Sequence, residues 1–152
     1  LDAHHLDLMA AMKQAADRGW YTLAWQLADA MWPFFLRLRH YDLWLEAHDI
    51  GLAAARSDAD PRAERQMLTS GANGLNSAGR YDAAIARFGL ALEAARAEGD
   101  SRGEGQALLG IGRSHREAGR AAVAGAYLRR AITVWEAFGY PLGGSLARSV
   151  LL

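Results

Sequence analysis

The chain of 152 residues contains no cysteine. That excludes disulfides and thiolate metal sites, and it suits a reducing compartment, so a cytoplasmic location is the expectation. There are only three prolines, and no Pro/Ser/Gly tract reads as a linker or a disordered tail. Lysine is almost missing: of 17 basic residues only Lys13 is one. There is no excess of either charge, because 17 Lys and Arg meet 17 Asp and Glu. A nucleic-acid binder needs basic excess to neutralise phosphate, so no direct nucleic-acid role is expected. No uninterrupted apolar run reaches about 18 residues, so no membrane partner is expected either. The opening Leu1-Asp2-Ala3-His4-His5 has neither an initiator methionine nor the form of a signal peptide, and the chain ends on the apolar Val150-Leu151-Leu152. Both ends give the expectation of a fragment of a larger protein.

What is present in quantity is alanine, which makes up much of the 51% hydrophobic content. Alanine favours helix and permits close helix approach while burying little area. Five Trp, five Tyr and four Phe supply the larger core pieces.

The sequence repeats itself every forty residues. Gly79-Arg80-Tyr81-Asp82-Ala83-Ala84 is answered by Gly119-Arg120-Ala121-Ala122, and anticipated by Tyr41-Asp42. Asp60-Pro61-Arg62-Ala63-Glu64-Arg65-Gln66 lies over Asp100-Ser101-Arg102-Gly103-Glu104-Gly105-Gln106. A fixed period in this range marks stacked supersecondary units. The apolar spacing within them is helical: Ala84, Ile85, Phe88, Ala91, Leu92 and Ala95 advance by three and four, as do Ala107, Leu108, Ile111, Gly112 and Ala118.

The spacing predicts an all-α fold, an alpha-alpha superhelix of about eight antiparallel helices. They cover 2–17, 20–38, 42–57, 61–78, 82–98, 101–118, 122–138 and 141–152. One domain, 1–152, would hold a partial unit 1–19, full units 20–59, 60–99 and 100–139, and a partial unit 140–152. Gly19, Gly99 and Gly139 share one phase past helix ends, where a left-handed cap costs glycine little, and Ala59 stands in the fourth copy. Asp60 and Asp100 are placed as N-caps, with Pro61 at the first helical position. Pro33 interrupts 20–38, which predicts a kink near Asp29 to Trp32 or two shorter helices. Gly112 and Ala72 share a small-residue phase, which predicts close packing on Ala124 and Ala84 of the next helix.

These residues resemble a tetratricopeptide repeat with long helices and a forty-residue period. The pattern is Leu68, Ala72, Gly79, Tyr81, Ala84, Phe88, Ala91 and Leu92 in one unit. In the next it is Leu108, Gly112, Gly119, Ala124, Leu128, Ala131 and Ile132. The unit at 20–59 departs from it: Trp32 and Trp44 hold small-residue phases and Arg39 replaces the turn glycine. Residues Trp32-Pro33-Phe34-Phe35, Tyr41 to His48 and Leu52 to Arg56 further resemble the helical repeats that follow the NB-ARC module of actinobacterial STAND-type antibiotic-regulatory transcriptional regulators. That resemblance implies a sensing or partner-docking module, with ATPase and DNA-binding parts outside this chain.

The tetratricopeptide resemblance also implies a groove lined by the first helix of each unit. Its positions fall on Gln66, Thr69, Asn73 and Asn76, on Gln106, Leu109, Arg113 and Arg116, and on Gln26, Asp29 and Arg37. Amides and guanidinium groups on one face suit a peptide backbone or a carboxylate. The plainer reading of each is a solvated position on an amphipathic helix.

Other chemistry is thinly represented. The five histidines show no HExxH-like spacing, and His4 and His5 point about 100° apart on a helix, so no metal is expected. His48 reads as a packing aromatic and His115 as a stand-in for an apolar residue. Gly110-Ile111-Gly112-Arg113-Ser114-His115 lacks the third glycine and the preceding strand of a dinucleotide loop, so no cofactor is expected. Asp58-Ala59-Asp60 has no downstream ligand series and reads as capping rather than calcium binding. No serine sits in a nucleophile elbow, and Glu64 and Glu104 recur with the repeat, so they serve helix starts or pairs within a helix. The expected function is a non-enzymatic scaffold whose partner is a protein or peptide segment, or another domain of the parent chain. The alternative is a small-molecule sensor using the same surface and the aromatic cluster around Trp25 and Trp32. An enzyme would need convergent titratable groups, which the sequence does not show. Exposed ends at Leu1 and Leu152 would permit weak self-association.

Overall fold

The structure is a computed structural model describing residues 2–152, with side chains from His4 onward. Leu1, one of the two ends expected to be exposed, lies outside the described residues. Among these the chain is all α-helix, in a tetratricopeptide-like helical repeat fold. It divides into two compact units, residues 1–78 and 79–152.

The first unit holds α1 (Asp2–Asp17), α2 (Tyr21–Ala30), α3 (Trp32–Leu38), α4 (Tyr41–Ser57) and α5 (Pro61–Ser77). The second holds α6 (Tyr81–Ala97), α7 (Ser101–Glu117), α8 (Ala121–Phe138) and α9 (Pro141–Leu151). The expected helix 20–38 is therefore two helices. Met31 ends α2, and Pro33 falls in the first turn of α3, where its missing N–H leaves no bond unmade. The Met31 carbonyl accepts from the Phe34 and Phe35 amides at 3.1 and 3.2 Å.

Helix starts and stops follow from a few side chains. Asp60 Oδ1 accepts from the Arg62 and Ala63 amides at 3.0 Å each, and Asp100 Oδ1 accepts from the Gly103 amide at 3.0 Å. Each satisfies donors that the first helical turn leaves open. The turns that end the helices need a left-handed residue, and Gly19, Gly79, Gly99, Gly119 and Gly139 supply it with φ from 68 to 80°. Arg39 and Ala59 hold the same conformation without being glycine, at φ 57° and 52°.

The joints between α4 and α5, and between α6 and α7, carry one further repeated device. Arg56 Nε donates to Glu64 Oε1 at 2.7 Å, and forty residues on Arg96 Nε donates to Glu104 Oε1 at 2.8 Å. The two glutamates thus pair with the preceding helix across the turn. Both stand in the first turn of their helices, as expected of helix-start acids, and their ion pairs reach the preceding helix rather than their own.

The core of the first unit gathers Met9, Met12, Ala28, Met31, Phe35, Trp44, Ala47, Ala55, Ala63 and Met67. Trp44 is 1% exposed, and its ring meets that of Trp32 at 6.2 Å. Indole on indole thus fills the place where the repeat has a small residue facing a small residue. In the second unit that small pair is intact. A Cβ added to Gly112 would lie 2.8 Å from Leu128 and 3.4 Å from the Ala124 carbonyl oxygen, so only glycine lets α7 and α8 approach this closely. Phe88, Leu108, Ile111, Leu128, Ala131 and Trp135 are among the buried residues of this unit.

Candidate functional site

The face expected to bind is the groove side of the first helices of the units, which are α2, α3 and α5 in the first unit and α7 in the second. Its residues do not share one fate. On α5, Gln66 donates its side-chain amide to Asp29 Oδ2 at 2.5 Å, and Ser70 donates its hydroxyl to Asp29 Oδ1 at 3.1 Å. Asp29 on α2 therefore joins two first-position helices of successive repeats. Thr69 turns its hydroxyl back to the Arg65 carbonyl at 3.0 Å, a bond within its own helix. Asn76 is buried, at 8% exposure, whereas Asn73, one turn earlier, is exposed. Gln26 and Arg37 are exposed as well.

On α7, Gln106 and Arg113 are exposed. Leu109 is buried, at 8% exposure, and serves packing. Arg116 donates to the Val150 carbonyl of α9 at 2.8 Å, which occupies one of its guanidinium nitrogens. Among the described residues, those of the expected set that reach solvent without such a tie are Gln26, Arg37 and Asn73 in the first unit, and Gln106 and Arg113 in the second.

Two histidines complete the polar inventory. His48 is fully buried, with its ring 5.9 Å from that of Trp44 and its Nδ1 2.9 Å from the Trp44 carbonyl. It packs as the aromatic it replaces. His115 stacks on Tyr127, with centroids 5.5 Å apart and planes 14° from parallel, and its Nδ1 accepts from Arg120 Nε at 3.0 Å. Arg120 reaches on to Asp82 Oδ1 at 2.7 Å. Burial, then the Arg120 charge, lowers the His115 pKa, with Asp82 opposing. Sequence reasoning missed this chain. The available signal was that Asp82 and Arg120 are the polar residues beside two successive repeat turns.

His5 and His40 bring their rings within 5.5 Å. Among the described residues no three His, Cys, Asp or Glu side chains gather as a metal-ligand set. No helix among them is long and apolar enough to cross a membrane.

The family model described as tetratricopeptide repeat matches residues 67–137. No curated protein sequence matches the chain. Among solved structures, the crystal structure of aspartyl phosphate phosphatase F from Bacillus subtilis resembles it with a TM-score of 0.78 at 18% sequence identity. The match covers 93% of this chain and 38% of that one, so the chain spans well under half the length of that protein. At this identity the likeness is one of fold. Helical repeats of this type generally serve as non-catalytic scaffolds that hold protein partners.

Proposed function

We propose that this chain is the partner-binding repeat module of a larger cytoplasmic regulator, non-enzymatic itself, and that it holds a segment of another protein or of its own parent chain. The bound segment lies along α7, where Gln106 and Arg113 make the contacts, and Arg37 and Asn73 offer heads of the same kind within the first unit. The observation that carries this reading is a register. Asn73 on α5 and Arg113 on α7 stand forty residues apart at one helical phase, and both present hydrogen-bonding heads to solvent. Amide and guanidinium heads match the carbonyls and carboxylates of an extended segment. The wording of residues 20–57 supports a transcriptional regulator as the parent, with its ATPase and DNA-binding parts elsewhere.

The small-molecule reading has less behind it. Trp44 and Phe35 of the aromatic cluster are spent in the core, and Trp25 is half-buried. A ligand reaching Trp32 would change tryptophan fluorescence, which separates the two readings.

The test is selection of a random peptide library on the whole chain, followed by rebinding to the variant N73E/Q106E/R113E. Enriched peptides should bind the parent and lose at least tenfold on the variant. Equal binding to both would remove these residues from the site.

A further inference from the structure

A second surface lies away from the first-position faces. The end of α6, the start of α7 and the middle of α8 enclose an open groove of about 440 Å³ lined by Arg96, Glu104, Leu108, Arg129, Arg130 and Val134. Its floor is apolar, with Leu108 fully buried. Arg96 and Glu104 pair with each other at the joint already described. Arg129 and Arg130 carry no ion pair among the described residues, so the groove keeps two uncompensated positive charges.

The repeat separates scaffold from departure. The Arg–Glu pair recurs as Arg56–Glu64 and so belongs to the architecture. The arginines do not recur. Forty residues earlier, at the phases of Arg129, Arg130 and Thr133, the chain has Gly89, Leu90 and Glu93, and eighty earlier Asp49, Ile50 and Ala53. Nothing in the stacking of repeats calls for the two cations, since units without them form the same helix pair.

We propose that this groove on α8 binds an acidic segment of a partner protein, with an apolar side chain on Ala126 and Val134 and carboxylates on Arg129 and Arg130. Guanidinium forks pair with carboxylates in bidentate fashion. The two forks are held apart. Arg129 folds back toward Gly125, where an added Cβ would meet its guanidinium nitrogen at 3.2 Å, and Arg130 lies over the Tyr127 ring at 5.2 Å. That spread fits two carboxylates spaced along a chain better than the two of one small diacid. A chain with 17 basic and 17 acidic residues sets up no wide basic field, which favours a peptide over a nucleic acid.

The probe is a fluorescein-labelled hexapeptide of alternating glutamate and leucine, titrated into the whole chain. Anisotropy should rise to saturation, with methyl resonance shifts at Ala126 and Val134. R129E/R130E should weaken binding at least tenfold at unchanged helicity, and R129Q/R130Q, which adds no repulsion, should weaken it by a lesser factor. A lysine-leucine hexapeptide should not bind. Lack of saturation overturns the proposal. So does binding that survives R129E/R130E and is lost on R113E, which would assign the peptide to the α7 face instead. A single-stranded oligonucleotide of equal charge that displaces the peptide at equal concentration would also overturn it, by making the ligand class wrong. Since the library test above reads α5 and α7 and this one reads α8, either can fail alone.

Discussion

The carboxylate of Asp29 accepts the amide of Gln66 across 37 residues of sequence, at 2.5 Å. The same two repeat phases, eighty residues on, hold Leu109 and Leu146. A hydrogen-bonded polar pair in one unit thus stands where the other has two leucines, Leu109 buried and Leu146 exposed. Removing one partner of a hydrogen-bonded pair costs more than replacing both. D29L should therefore destabilise the chain by about 1–2 kcal/mol, since it also strands Ser70. D29L/Q66L should recover much of that loss. Urea unfolding of the parent, both single variants and the double variant closes the cycle. A double variant no more stable than the worse single one would show that the pair is not a unit.

Ala59 holds φ 52° at the turn where Gly19, Gly99 and Gly139 hold φ 77, 68 and 78°. A side chain in the left-handed region costs about 1–2 kcal/mol, and glycine escapes most of it while losing some chain entropy. Ala59→Gly should raise stability by about 0.5–1 kcal/mol, and Gly99→Ala should lower it by about 1 kcal/mol. Both are exposed positions, so thermal unfolding of the two variants reads the backbone alone. Opposite signs are the required result.

Most of the helix plan was legible because its punctuation is local. An aspartate cap, a glycine stop and an alternation of small and large apolar residues each act within one turn, and all recur at forty residues. Pro33 marked its break correctly, though not which of two outcomes would follow. That depended on Met31, whose conformation lets the proline fall in a new first turn. What could not be read was anything decided by a neighbouring helix. Glu64 and Glu104 are helix-start acids, as read, but their partners Arg56 and Arg96 lie across the turn on the preceding helix. Leu109 and Asn76 share a phase with exposed positions, yet both are buried. Gln66 looks free for a ligand until Asp29 is placed beside it.

His115 links pH to stability. Its pKa is lowered in the folded chain, first by burial and then by the Arg120 charge, so the folded state prefers the neutral ring. The unfolded chain then binds more protons in the window below the ordinary value near 6.5. Stability from this residue is present above that value and is lost as pH falls toward the folded pKa. His115→Phe keeps the stack on Tyr127 and removes the proton. The difference in urea midpoint between parent and variant should shift in favour of the variant as pH drops from 7.5 to 5.5. A difference that stays flat over that range would mean the ring is solvated in the folded chain.

Gly105 and Gly89 are both inside helices and should respond to alanine in opposite directions. An added Cβ on Gly105 would fall 2.2 Å from Trp135 Nε1, and Trp135 is 1% exposed, so the indole has nowhere to go. Its N–H also donates to the Arg102 carbonyl at 3.3 Å, which fixes the ring further. Overpacking of this kind costs about 1–3 kcal/mol, more than the roughly 0.5–1 kcal/mol that alanine gains over glycine in a helix. Gly105→Ala should therefore lower stability, by up to about 2 kcal/mol net. Gly89 has nothing within 4 Å of an added Cβ, so Gly89→Ala should keep the propensity gain of about 0.5–1 kcal/mol. Chemical unfolding followed by near-ultraviolet circular dichroism would also report whether Trp135 is displaced in the first variant. If Gly105→Ala proved neutral with an unchanged tryptophan signal, α7 would have to shift away from α8 to make room.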